Sequence, residues 1–250
     1  MKRVIINADD FGINGIVTSE IERHILAGQV SSTTVMANGT CLDEVKRFAA
    51  EHPEVSYGVH LCLTEFDSLT KSVELCLAGL TDEKGTFIKK AIFSSNIVFD
   101  NTLLKAIKDE LNAQIDVVES LGFAISHADS HHHAHTIYRI KDIISDILLE
   151  RGISKVRVGS DFRTLRMRAH LLLWMQRNKL NKYYRNSFKT TDAFYSYDEF
   201  LNAGFPIKDG ETIELMCHPG HPGAQYRNEI ALIENNPLPK DIVLLSYNQL

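Results

Sequence analysis

The strongest constraint on this chain is a rhythm. Short apolar runs that end in polar residues alternate with stretches of helical period along almost its whole length. RVIINAD (3–9) suits a buried parallel strand. Asn14 can cap a helix with Ile16, Val17, Ile21, Ile25 and Leu26 as its apolar positions, ended by Gly28. SSTTVMAN reads as a second strand, LDEVKRFAAEHP as a helix stopped by Pro53, and VSYGVHLCLT as a third strand. From Glu65 to about Asn96 no period is visible. From Thr102 the set Leu103, Leu104, Ile107, Leu111, Ile115, Val118 and Leu121 marks a long amphipathic helix closed by Gly122. FAISHAD, KVRVG, TIELMCH and DIVLLSY then read as strands, with helices expected over 137–150, 164–180 and YDEFLNAG.

About seven strands separated by helices predict a parallel sheet with right-handed crossovers. No linker, repeat or low-complexity break divides the 250 residues, which are short for two domains, so one domain over 1–250 is expected. An open doubly wound sheet and a closed barrel both fit this order. The first crossover lacks a GxGxxG phosphate loop, which counts against a dinucleotide fold. Asp9, Asp10, His60, His127, Asp129 and His218 all fall at or near the C-terminal ends of different strands. In a barrel those ends share one mouth, where catalytic groups gather. The expectation is an α/β fold, an irregular (β/α) barrel of about seven parallel strands, TIM-barrel-like.

Charge and cysteine content narrow the partners. A net charge of −5 without a Lys/Arg block gives no footprint for nucleic acid. Four cysteines without CxxC spacing suit reduced thiols. The first apolar run stops at Asn7 and Asp9, and no uninterrupted apolar stretch reaches the ~18 residues of a membrane span. A cytoplasmic protein without membrane contact is expected, and a homodimer is compatible with the sequence.

The chemistry is concentrated in a few polar clusters. NADDFG puts two adjacent carboxylates at a strand end, where the turning chain lets both reach one pocket. One can ligate a cation while the other handles a proton. Taken singly, such aspartates are common turn and capping residues, His60 in GVHLCLT is a core histidine, and His218 in MCHPG is a turn histidine. SHADSHHHAH (126–135) shifts that balance, because five histidines and an aspartate entering from an apolar strand are hard to explain by packing. If the strand stays extended, His127, Asp129 and His131 share one face, and Ser130 and His132 the other. His132 should therefore point away, while His133 and His135 lie past the strand end. Carboxylate plus imidazole without thiolate suits a catalytic site with open positions. A metal-dependent phosphoesterase and a non-enzymatic metal-binding protein remain the alternatives.

INADDFG, GVHLCLT, SHADSHHHAH, TTDAFYS and MCHPG follow one another from near residue 5 to near residue 223. Together they resemble the YdjC-like carbohydrate deacetylase family, which includes the chitooligosaccharide deacetylases. The resemblance implies an irregular (β/α) barrel and divalent-metal-dependent removal of an N-acetyl group from a small carbohydrate. By motif it implies Asp10, His60 and His131 as metal ligands and Asp9 as the catalytic carboxylate, with His218 as candidate proton donor. His127, Asp129 and Arg157 are expected to bind substrate or support the site, Asp129 by accepting an imidazole N–H. Mg²⁺ or Zn²⁺ is expected, with Mn²⁺, Co²⁺ and Fe²⁺ also suited to mixed O and N ligands. Phe194 and Tyr195 could stack on a sugar, and Arg163, Arg166 and Arg168 could meet a phosphorylated one. Ser126 and Ala128 stand where the family more often has Thr and Leu, and His221 and Pro222 where an aromatic residue is more usual.

Overall fold

The computed structural model describes residues 1–159, 171–204, 206–223, 226 and 228–250. Arg163, Arg166, Arg168 and the start of the helix expected at 164–180 lie outside the described residues.

Seven strands are named: β1 (Lys2–Phe11), β2 (Ser32–Val35), β3 (Ser56–Leu61), β4 (Ala128–Ser130), β5 (Ala193–Ser196), β6 (Thr212–Cys217) and β7 (Ile242–Leu245). They pair in parallel in the order β4-β3-β2-β1-β6-β5, with β7 also on β1, and the sheet curls into a TIM-barrel-like half-barrel. KVRVG reaches both neighbours through single bridges, Val156 to Ala128 and Lys155 to Lys189, rather than as a regular strand. β5, inside TTDAFYS, supplies the strand that the sequence pattern did not announce. FAISHAD is a strand only at its end. Before His127 it is irregular, and Phe123 and Ile125 pack into the helix-side core rather than sharing the face of His127.

Eight α-helices are named among the described residues: α1 (Gly15–Leu26), α2 (Leu42–Glu51), α3 (Val73–Leu77), α4 (Asn101–Glu119), α5 (Lys141–Glu150), α6 (Leu171–Ser187), α7 (Tyr197–Asn202) and α8 (Glu229–Asn235). Asn14 caps α1 by accepting from the amides of Ile16 and Val17. Its buried stripe is Val17, Ile21 and Ile25, whereas Ile16 and Leu26, expected on the apolar face, are exposed. The i, i+4, i+8 line rotates both away from the sheet. α4 follows its expected stripe and adds two buried polar residues, Glu110 and Gln114. Gln114 brackets Cys62, donating to its carbonyl (2.7 Å) and accepting from its amide (2.8 Å). Glu110 accepts from the amides of Leu69 (3.0 Å) and Thr70 (2.9 Å). The aperiodic stretch after β3 is thus tied to α4 by side chains and to itself by isolated antiparallel bridges, Asp67 to Thr86 and Thr81 to Phe87.

Alternation along the strands separates two environments. Val4, Ile6 and Ala8 of β1, Tyr57, Val59 and Leu61 of β3, and Ile213, Leu215 and Cys217 of β6 belong to the core beneath the helices. Their neighbours on the concave side include a polar or small set, Asn7, Asp9, Thr34, Gly58, His60, Asp129 and Glu214, beside the apolar Ile5, Phe194 and Met216. The half-barrel therefore has an apolar outside and gathers its buried charged groups inside. β7 lies beside the first half of β1 (Lys2 to Ile5) and β2 beside the second. The chain beyond β7 then crosses the base of the sheet. The amide of Tyr247 donates to Ser32 Oγ (3.0 Å), that of Asn248 to Ser56 Oγ (2.8 Å), and the Tyr247 ring stacks on His127 at 3.7 Å.

The loops after β1 and β2 touch backbone to backbone at Gly39, where an added Cβ would stand 2.2 Å from the Gly12 carbonyl oxygen. No rotamer relieves a clash with backbone. Gly39→Ala is expected to destabilise the fold by about 1–3 kcal/mol, read as a lower urea midpoint at unchanged slope.

Candidate active site

The site begins with a break in alternation. The β1–β2 register shifts between Ala8 and Phe11, and Asp10 adopts a left-handed backbone (φ 69°). Aspartate tolerates that region better than most residues, and the bulge turns both neighbouring carboxylates toward the same pocket. Asp9 and Asp10 are both buried, and their surroundings differ sharply.

Asp9 is gripped by a guanidinium. Arg157 Nη1 donates to its Oδ2 and Nη2 to its Oδ1, both at 2.6 Å, and the Asn7 amide donates to Oδ1 at 2.8 Å. Burial raises the Asp9 pKa, but Arg157 outweighs it and holds the carboxyl below the usual range. Arg157 also meets Asp129 Oδ2 (2.6 Å) and Glu214 Oε1 (2.7 Å), and Tyr247 donates to Glu214 Oε2 (2.5 Å). Glu214 was missed by motif, although an acid inside TIELMC is a visible anomaly.

Asp10 meets imidazoles. Its Oδ1 lies 2.9 Å from His131 Nδ1 and 3.3 Å from His60 Nε2. Neither carboxylate oxygen has a hydrogen bond of acceptable geometry, although both are buried. Ligand atoms of Asp10, His60 and His131 all lie within 4.8 Å of one another. Burial lowers the pKa of both imidazoles, but Asp129 and Asp10 at His60, and Asp10 and Glu65 at His131, raise them above the ordinary value. Asp9, Asp129 and Glu214 are buried around Arg157, the one fully buried arginine among the described residues, and Asp10 is buried beside the imidazoles. A buried carboxylate without hydrogen bonds beside two imidazole nitrogens is a donor set that fits a divalent cation.

Each imidazole has a second carboxylate behind it. His60 Nδ1 is 2.6 Å from Asp129 Oδ1, so Asp129 stands where an imidazole acceptor was expected. His131 Nε2 is 3.1 Å from Glu65 Oε2, a residue in the aperiodic stretch that carries no motif signal. His127 lies deeper, 3.0 Å from Asn7 Oδ1, and touches Asp9 only through Asn7. Alternation holds to His131. His132 and His133 then have left-handed backbones (φ 51° and 57°), which end it. His132 is consequently not turned away: it lines the pocket, with Nδ1 2.9 Å from Thr64 Oγ1. His133 also lines it, whereas His135 is buried against Ser130 Oγ at 2.6 Å.

His218 faces Asp9 across the pocket, Nε2 to Oδ2 3.9 Å, with Glu229 behind Nδ1 at 3.6 Å. Burial lowers its pKa, but Glu229 and Asp9 raise it above the ordinary imidazole value. Tyr226 stacks on it at 4.0 Å, and His221 Nε2 lies 3.9 Å from Asp10 Oδ2, a neighbour the strand-end pattern did not pick. The cavity between these groups holds about 210 Å³, with Lys90 and Met216 completing its wall. Phe194 and Tyr195 are buried, Phe194 beneath the Arg157 guanidinium at 4.8 Å, so neither forms a sugar platform.

Comparisons with known proteins agree with this architecture. The model of the family described as YdjC-like protein matches residues 3–242. A carbohydrate deacetylase from Vibrio parahaemolyticus is 30% identical over 224 residues, covering 88% of this chain and 78% of its own. One from Clostridium beijerinckii is 26% identical over 228 residues, with 88% and 82% covered. A crystal structure from Enterococcus faecalis V583, assigned provisionally as a cellobiose-phosphate cleavage protein, superposes with a TM-score of 0.76. That match covers 99% of this chain and 98% of the other at 22% identity, a likeness of fold. Among the described residues no helix is long and apolar enough to cross a membrane.

Proposed function

The chain belongs to the YdjC-like protein family, and from that premise we propose that it is a divalent-metal-dependent hydrolase that removes the N-acetyl group from an amino sugar or chitooligosaccharide. The observation that carries the reading is the Asp10 centre. A buried carboxylate without hydrogen bonds faces two imidazole nitrogens, beside a second carboxylate locked by Arg157. Asp10, His60 and His131 would hold the ion. Two imidazoles beside one carboxylate favour Zn²⁺, Co²⁺, Fe²⁺ or Mn²⁺ over Mg²⁺.

An amide is a poor electrophile with a poor leaving group. Bound at this centre, a divalent ion supplies an acidified water and a Lewis acid for the acetyl oxygen. Asp9 accepts the proton of the attacking water. Asn7 and Arg157 hold its carboxylate in one orientation, at the cost of a low basicity. His218 stands on the other side of the pocket, its proton favoured by Glu229 and Asp9, and delivers that proton to the departing sugar nitrogen.

The direct test is acetate release from N-acetylglucosamine and its oligomers, before and after chelation and metal return. Hydrolysis of aryl phosphates with no acetate from any N-acetyl sugar would sink the reading. His218→Gln is expected to slow amide hydrolysis about 10²–10⁴-fold and an activated aryl acetate far less, since a phenolate leaves without a proton. The raised His218 pKa puts the working form below that pKa. The rate should therefore fall on the alkaline side, and this limb should vanish in the variant. Equal losses on both substrates would assign His218 to another role.

A further inference from the structure

We infer that Glu65 is a positioning residue for the Asp10 centre: its carboxylate keeps the His131 proton on Nε2, so that Nδ1 offers its lone pair toward Asp10. The inference rests on the metal centre proposed above and is independent of which sugar is the substrate.

A carboxylate can only accept, so the 3.1 Å contact of Glu65 Oε2 with His131 Nε2 requires the proton on that nitrogen. The opposite nitrogen, Nδ1, is the one 2.9 Å from Asp10. His60 is arranged the other way round. Asp129 takes the proton of Nδ1 at 2.6 Å, and Nε2 faces Asp10 at 3.3 Å. The two rings thus present opposite nitrogens to one carboxylate, each fixed from behind by its own acid. Lone pairs pointed at a carboxylate repel it unless a cation lies between them. Without Glu65, His131 could carry its proton on Nδ1 and donate it to Asp10, a closed contact that competes with the ion.

Glu65 is built into place rather than waving on a loop. Gln114 clasps Cys62, Glu110 holds Leu69 and Thr70, and the Lys90 amide donates to the Thr64 carbonyl at 3.2 Å. Lys89 is ion-paired with the second Glu65 oxygen, and its side chain is largely exposed.

The test is Zn²⁺ affinity of the purified apoprotein, measured against a chromogenic chelator at pH 7. Glu65→Ala is expected to weaken Zn²⁺ binding about 10–100-fold. Glu65→Gln should fall between it and the parent, because an amide oxygen still accepts. Lys89→Ala, which breaks only an exposed pair, should change affinity little. In the metal-free protein, at a pH where the ring is neutral, ¹⁵N spectra of labelled histidine should show the His131 proton on Nε2 in the parent and moved to Nδ1 in Glu65→Ala, which a general loosening of the loop would not produce. Parental affinity in both Glu65 variants, or a proton on Nδ1 in the parent, overturns the inference alone. A second ion per chain that disappears with Glu65 overturns it in favour of a site shared by Glu65, His131 and His132. Failure of the parent to bind Zn²⁺, Co²⁺ or Mn²⁺ overturns it together with the metal centre.

Discussion

Asp9→Asn is expected to retain the metal and to lose about 10²–10⁴-fold in turnover. The substitution keeps shape and removes the proton acceptor, while Asp10 and its imidazoles are untouched. It also turns one acceptor facing Arg157 into an NH₂ group. That leaves a buried cation partly uncompensated and should lower stability by about 3 kcal/mol. Asp129 and Glu214 still accept from Arg157, so the fold should survive. Rates, metal content and the denaturation midpoint measured together separate these effects. Activity within tenfold of the parent would remove Asp9 from the chemistry, and loss of metal equal to that of Asp10→Asn would erase the division between the two aspartates.

His131→Ala should abolish activity and weaken metal binding by more than the roughly 10–100-fold typical of a supporting residue. His132→Ala should leave the ion in place. The contrast is sharp because the two rings are neighbours, 4.2 Å apart, and both line the pocket. Only His131 faces Asp10, and His132 instead engages Thr64. Metal analysis of the two purified variants decides the matter: loss through His132 would move the ion to the rim beside Glu65.

The legible part of this site is the part built on strands. Strand ends put Asp9, Asp10, His60 and Asp129 at one mouth, and a period of two put His127, Asp129 and His131 on one face, before any coordinates. It failed where the backbone left the extended region. The left-handed turn at His132 reversed the expected direction of that ring, and the early residues of FAISHAD never joined the ladder. Glu65 and Lys90 stayed invisible because they come from a stretch whose shape is set by Glu110 and Gln114 on α4, contacts that no local pattern records. Arg157 was picked as a residue that binds substrate or supports the site, but its reach to three carboxylates was not. Four short residues of β5 gave too little signal to separate from loop.

The crossing at the base of the sheet makes the route to the native state depend on residues 242–249. Ser32 and Ser56 find their amide partners 215 and 192 positions further along the chain. Such long closures are slow and entropically costly. Until residues 242–249 arrive, half of one edge of β1 has no ladder partner, and Glu214 and His127 lack Tyr247. A nascent chain therefore carries all its ligand-type side chains before it can brace them. In the interval the open edge of β1 invites pairing with other chains.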